Sequence, residues 1–174
     1  MSIIKLNGYD LSLEDLIKVC RYGHKVELTE KAIERIKTAR AIVDDLVENE
    51  KVSYGITTGF GKFSDVVISK KDTRQLQINL IRSHACGVGD PLSEEIVRAM
   101  MLLRINALSK GYSGVRLETL QVLIDMLNKG VHPIVPEKGS LGSSGDLAPL
   151  SHMVLTMLGL GEVIYNGVKM ESKD

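Results

Sequence analysis

Residues Gly139-Ser140-Leu141-Gly142-Ser143-Ser144-Gly145-Asp146, followed by Leu147-Ala148-Pro149-Leu150-Ser151-His152-Met153, decide how this chain is read. Three readings compete for the first eight residues. As the lead-in to a helix, the glycines supply unusual backbone angles, while the serines and Asp146 offer capping oxygens. Pro149 then still lies in the first turn, where its missing N–H costs little. As an anion site, the free N–H groups of a helix start would face negative charge, but no lysine stands where a phosphate-binding loop needs one. As a site of backbone chemistry, a Ser-Gly pair forced into a tight turn can cyclise. The Gly145 amide nitrogen would attack the carbonyl carbon of Ser143, an approach close enough to require a residue without Cβ. Ser144 would lose its hydroxyl as water and a second water would leave on ring closure, giving a strong electrophile. Spacing alone does not choose among the three.

Outward from this stretch, the pattern is helical. Asp146 is a candidate N-cap for a helix running to about Leu158 and stopped by Gly159. Beyond it, Asn166-Gly167 between Glu162–Tyr165 and Val168–Met170 predicts a β-hairpin. Upstream, Gly130 ends a helix of about Leu117 to Leu127, and His132-Pro133 begins an extended stretch. Ser93 would cap a helix reaching about Ala107. Its run Ala99-Met100-Met101-Leu102-Leu103 is apolar on every face, as expected inside a bundle. Residues 72–84 read as helix and are stopped by Cys86-Gly87-Val88-Gly89-Asp90-Pro91. Residues 52–65 read as a loop rich in glycine and small polar residues. Nearer the N-terminus, Thr29 caps an amphipathic helix carrying Ile33, Ile36, Val43, Leu46 and Val47. Residues 3–6 and 25–29 read as short strands around a small helix that Ser12 and Asp15 open as a capping box. The class is mainly α, in a single domain without internal repeats.

Composition narrows the partners. In 174 residues, 22 Lys+Arg balance 22 Asp+Glu, so no charge excess suggests nucleic acid or an anionic membrane. The most apolar segment, Met153 to Gly161, is too short to span a bilayer. Cys20 and Cys86 fit no metal or redox spacing and read as two reduced, partly buried thiols of a cytoplasmic protein. No cluster suggests a metal site.

The stretch GSLGSSGDLAPLSHM resembles the signature of the histidine and aromatic amino acid ammonia-lyases, and it does not stand alone. Tyr54-Gly55-Ile56-Thr57-Thr58-Gly59-Phe60-Gly61 is similar to that family's tyrosine loop, and Asn79 to Gly89 resembles its substrate-selecting segment. Arg104 to Gly114 matches a fourth segment, and all four stand in the family's order. The resemblance covers essentially the whole chain. It implies the N-terminal part of the fumarase/aspartase-like ammonia-lyase fold, mainly α with short hairpin elements, with residues 1–174 forming one ring-bearing portion.

By the same resemblance, Ser143, Ser144 and Gly145 would form 4-methylideneimidazol-5-one, a cofactor made from the protein itself, with no metal. The family usually has Ala in the first of these places. Ser143 gives only backbone atoms to the ring, so its hydroxyl should be tolerated. Tyr54 would handle a proton at the substrate's β-carbon. His84 would bind the substrate imidazole, since the Ser-His pair here looks like the histidine-specific form. Asp146 would support the turn, and the positive end of its helix would favour negative charge on the ring. His132 and His152 receive no such role; His152 reads as structural.

The implied reaction is non-oxidative deamination of L-histidine to trans-urocanate and ammonia. Family members are much longer homotetramers whose later segments complete the active site. This chain alone is therefore expected to be inactive, or to need a C-terminal partner, and to self-associate. A tyrosine-specific relative or a non-catalytic assembly module are the alternatives.

Overall fold

The computed structural model describes residues 2–64, 66–69 and 72–174, the side chains of Phe63, Thr73 and Ser144 excepted. Strand β1 (Ile4–Leu6) lies parallel to β2 (Val26–Leu28), with helix α1 (Leu13–Tyr22) crossing between them. Local signals set α1's limits. Ser12 Oγ accepts from the Asp15 N–H at 3.1 Å and donates to the Asp15 carboxylate at 2.9 Å, and Gly23 ends the helix at φ +68°. Helix α2 (Glu30–Glu48) starts on Thr29, whose hydroxyl accepts from the Ala32 N–H at 3.3 Å.

The core is built on α4 (Glu94–Leu108) and α5 (Leu117–Lys129). From α4 it takes Val97, Met101, Leu102 and Ile105, and from α5 Leu120, Leu123, Ile124 and Leu127, with Leu6, Val19, Val26 and Ile36 closing the far side. Each such side chain, fully buried, contributes about 1.5–3 kcal/mol of transfer free energy. Expected to be surrounded by other helices, α4 instead buries one face. Ile96 and Leu103 stay exposed, and Met100 lies half-buried.

Among the described residues one charged side chain is buried in this core. Arg98 donates to the Val19 carbonyl oxygen at 2.8 and 3.1 Å, to that of Leu127 at 3.3 Å, and to His132 Nε2 at 3.0 Å. Val19 and Leu127 lie in the last turns of α1 and α5, whose free carbonyls carry partial negative charge. The guanidinium therefore ties two helix C-termini together. His132 must be neutral to accept that bond, and burial pushes its pKa below the ordinary histidine value.

Helix α3 (Thr73–His84), expected over 72–84, is followed by strand β3 (Val88–Pro91), which pairs antiparallel with β5 (Pro136–Lys138). The expected hairpin is present as β6 (Glu162–Tyr165) and β7 (Val168–Glu171), with Asn166 and Gly167 both at positive φ. Strand β4 (Val131–Pro133) adds to its edge through β6. These two pairings join segments far apart in sequence, and no local pattern announces them. Helix α6 (Leu147–Leu155) continues as a 3₁₀ turn to Leu158 and ends at Gly159. Among the described residues, no helix is long and apolar enough to cross a membrane. Cys20 is buried as expected, but Cys86 is exposed because it lies on the connection between α3 and β3.

Candidate functional site

The fold brings two of the sequence-marked segments together. Helix α3, ending in His84, packs against α6, which begins directly after Ser143-Ser144-Gly145. The join is made by backbone and one histidine. The Gly87 N–H donates to His152 Nε2 at 2.9 Å. A Cβ on Gly139 would lie 2.9 Å from Gly87 Cα and 3.3 Å from Ala148 Cβ, and Gly139 has φ +152°. Only glycine lets these backbones approach so closely. Burial holds the His152 pKa below its ordinary value, which keeps the accepting nitrogen unprotonated. His152, read from sequence as structural, is thus a tie between the two segments; an imidazole in a mostly apolar helix is its signal.

His84 is half-buried at the last residue of α3, with Nδ1 2.8 Å from the Leu80 carbonyl oxygen and 3.1 Å from Ser83 Oγ. A carbonyl can only accept, so Nδ1 carries the proton and Nε2 is left as the acceptor. Among the described residues nothing bonds to that Nε2.

Ser143 and Gly145 sit in a tight turn. Residues Gly142–Ser144 form a single 3₁₀ turn, Gly145 has φ +87°, and its N–H reaches the Gly142 carbonyl oxygen at 3.4 Å. The backbone of Ser144 belongs to this turn; its side chain lies outside the described residues. Asp146 departs from expectation. It stands at the N-cap position of α6, but at φ +56°, ψ +43°, and its side chain caps nothing. Its carboxylate instead accepts a short hydrogen bond from Ser140 Oγ. A carboxylate reaching back across the turn cannot also face the first N–H groups of α6. From sequence Ser140 is only one of several possible capping oxygens in this stretch.

Tyr54 lies in a loop that holds itself. The N–H groups of Ile56 and Thr57 bond to the Ser53 carbonyl oxygen, and buried Thr57 donates to the Lys51 carbonyl oxygen at 2.7 Å. Buried Thr58 accepts from the Gly55 N–H at 3.2 Å, and the chain returns so that Ile68 N–H meets the Thr57 carbonyl oxygen at 2.9 Å. The Tyr54 ring meets Phe60 edge-on at 6.0 Å, and its hydroxyl accepts from the Gly61 N–H at 3.3 Å. The side chain is 64% exposed. Among the described residues all of its bonds are within its own loop, so Tyr54 is shaped locally and bonds to neither α3 nor α6.

Beside the turn opens a cleft of about 510 Å³, lined on one side by Met100, Leu103 and Arg104 of α4 and on the other by Ser140, Gly145 and Asp146. Apolar Leu92, Met100, Leu103 and Leu150 share its lining with charged Arg104, Glu137 and Asp146, a mixture that suits a small amphipathic molecule. Among the described residues no group of three or more His, Cys, Asp or Glu is placed to hold a metal.

A family model, aromatic amino acid lyase, matches residues 11–174. The chain belongs to the aromatic amino acid lyase family. Within it, the chain is 64% identical over 174 residues to a histidine ammonia-lyase of Alkaliphilus oremlandii, and 61% identical to that of Caldanaerobacter subterraneus. Both alignments cover all of this chain and 34% of the relative. Among solved structures, ergothionase from Treponema denticola superposes with a TM-score of 0.95 at 37% identity, covering 99% of this chain and 34% of that one. Histidine ammonia-lyase from Trypanosoma cruzi gives 0.91 at 39% identity over the same shares. The mainly α fold is that of the family, and the chain spans about a third of the length of its curated relatives.

Proposed function

We propose that this chain supplies the electrophile-bearing segment of a histidine ammonia-lyase, which converts L-histidine to trans-urocanate and ammonia. The observation that carries the reading is the packing of the His84 segment against the helix headed by the Ser143–Gly145 turn, tied by Gly87 and His152.

The triplet suits a methylideneimidazolone. Its third residue is a glycine at φ +87°, a conformation that any L side chain would strain, and its N–H already lies inside the turn. Ser143, Ser144 and Gly145 would provide the ring atoms, and the finished group would supply an electrophilic carbon that ordinary side chains lack. The chain's other residues orient and move protons. The His84 Nε2, with Nδ1 committed to Leu80, would accept a hydrogen bond from the substrate imidazole and so select histidine. Tyr54 would exchange a proton at the substrate's β-carbon through its exposed hydroxyl. The first N–H groups of α6, which the Asp146 side chain does not cap, would favour negative charge at the turn just before them. The family resemblance favours a cytoplasmic homotetramer in which further active-site residues come from segments beyond those described.

The reading is tested by adding the remaining two thirds of a histidine ammonia-lyase to this chain and following urocanate by its absorbance. Turnover that needs both parts supports it. Binding without turnover would sink it in favour of a non-catalytic assembly module, and preference for tyrosine would overturn the role given to His84.

A further inference from the structure

We propose that Ser140 is a positioning residue for ring closure: by donating its hydroxyl to Asp146, it closes residues 140–146 into a loop that keeps the Ser143–Gly145 turn compressed. The proposal rests on the reading above that this triplet cyclises.

Asp146 breaks two habits of a residue in its place. A helix-capping aspartate adopts an extended backbone and accepts from the helix's own N–H groups. Asp146 is instead left-handed, a strained conformation for a residue with Cβ, and its side chain bonds none of those N–H groups. Strain of this kind persists only where surrounding contacts impose it. The contact that does so here is the Ser140 hydroxyl. Ser140 is itself well anchored, because Gly139 before it is wedged between Gly87 and Ala148. One arm of the loop is therefore fixed to the β3–β5 pair and the other to α6, with the hydrogen bond bridging them. Holding both ends reduces the conformations open to the residues between, which raises the frequency of attack within the turn.

The chemistry balances without an oxidant. A bond forms between the Gly145 nitrogen and the Ser143 carbonyl carbon. The carbonyl oxygen departs as water with the amide hydrogens of Ser144 and Gly145. Ser144 then loses its hydroxyl together with its Cα hydrogen as a second water, leaving the exocyclic double bond. Ser140 contributes no atom, so its loss should slow closure without altering the product.

The experiment follows the mass of the peptide from Gly139 to His152 at set times after cell-free synthesis of the full chain, for the parent, Ser140→Ala and Ser140→Thr. Urea midpoints serve as a control for folding. The parent should become two waters lighter. Ser140→Ala should close at least about tenfold more slowly, the worth of a hydrogen bond to a charged group, and should still unfold cooperatively, because Ser140 is exposed and lies outside the core. Ser140→Thr should restore closure. Closure of Ser140→Ala at the parent's rate would overturn the role of Ser140 alone, as would a Ser140→Thr chain as slow as Ser140→Ala. A parent that keeps both waters would overturn the cyclisation reading itself.

Discussion

Arg98 and Asp146 are charged residues in regions built on opposite terms. Arg98 is buried, and each of its bonds goes to an acceptor inside the fold: the carbonyls of Val19 and Leu127, the latter shared with the Gly130 N–H, and His132. Around Asp146 the chain is exposed, its backbone is left-handed, and its carboxylate has abandoned the helix it should cap. The first region is satisfied because burial leaves no alternative. The second carries strain that water-facing residues can bear only if the elements beneath them are rigid. A firm α1–α4–α5 core and an exposed, strained turn thus belong to one design, in which the core supplies the stiffness that the turn uses.

The sharpest way to break this comparison is to loosen the core. Arg98→Met should cost about 3 kcal/mol, since it takes the buried donor away from the Val19 carbonyl and from His132; urea unfolding reads it, and a shift under about 1 kcal/mol would show that water replaces the guanidinium. Next, Gly139→Ala should cost about 2 kcal/mol, from a Cβ pressed onto Gly87 and a backbone angle that L residues avoid. Ring closure should fail with it, and a normal peptide mass deficit in that variant would contradict the anchoring of the turn.

The pH dependence is a gentler probe. Burial, and then the neighbouring Arg98, hold the His132 pKa below its unfolded value, while Glu94 at 3.6 Å opposes this; burial does the same to His152. The unfolded chain therefore binds more protons in this range. Stability contributed by the neutral rings is complete above about pH 6.5 and is lost as the pH falls from there through the lower folded values. Denaturation midpoints that hold steady from pH 7 down to pH 5 would contradict it. Smallest in stability is Tyr54→Phe, which removes one exposed hydrogen bond and should shift unfolding by less than about 0.5 kcal/mol. In the reconstituted lyase it should nonetheless abolish urocanate formation, and retained turnover would move the proton transfer to another residue.

What could be read in the sequence was what neighbours in sequence decide. Ser12 and Thr29 cap where their spacing to Asp15 and Ala32 puts them, Gly130 ends α5, and Asn166-Gly167 turns the hairpin, because each needs only the next three or four residues. The addition of β4 to that hairpin and the pairing of β3 with β5 depend on partners 30 to 50 residues away, and short strands containing proline give no periodic signal. The site divides the same way. The triplet, Tyr54 and His84 stand out through their flanking residues. The part of Ser140 was hidden because it depends on Asp146 adopting a left-handed backbone in place of the extended one that an N-cap aspartate takes. No residue near Arg98 in sequence marks it; only the convergence of α1, α5 and His132 explains it.

The contact between Gly87 and Gly139 carries a consequence for timing. Those residues lie 52 positions apart, and their backbones must be in contact before the turn beyond Gly139 takes its final shape. Under the proposed cyclisation, two waters can leave only after that distant segment has docked. Their loss is irreversible and survives later denaturation. Each molecule would then bear a permanent chemical stamp of having once folded, so that the lighter fraction in any preparation counts the chains that completed assembly, whatever their present state.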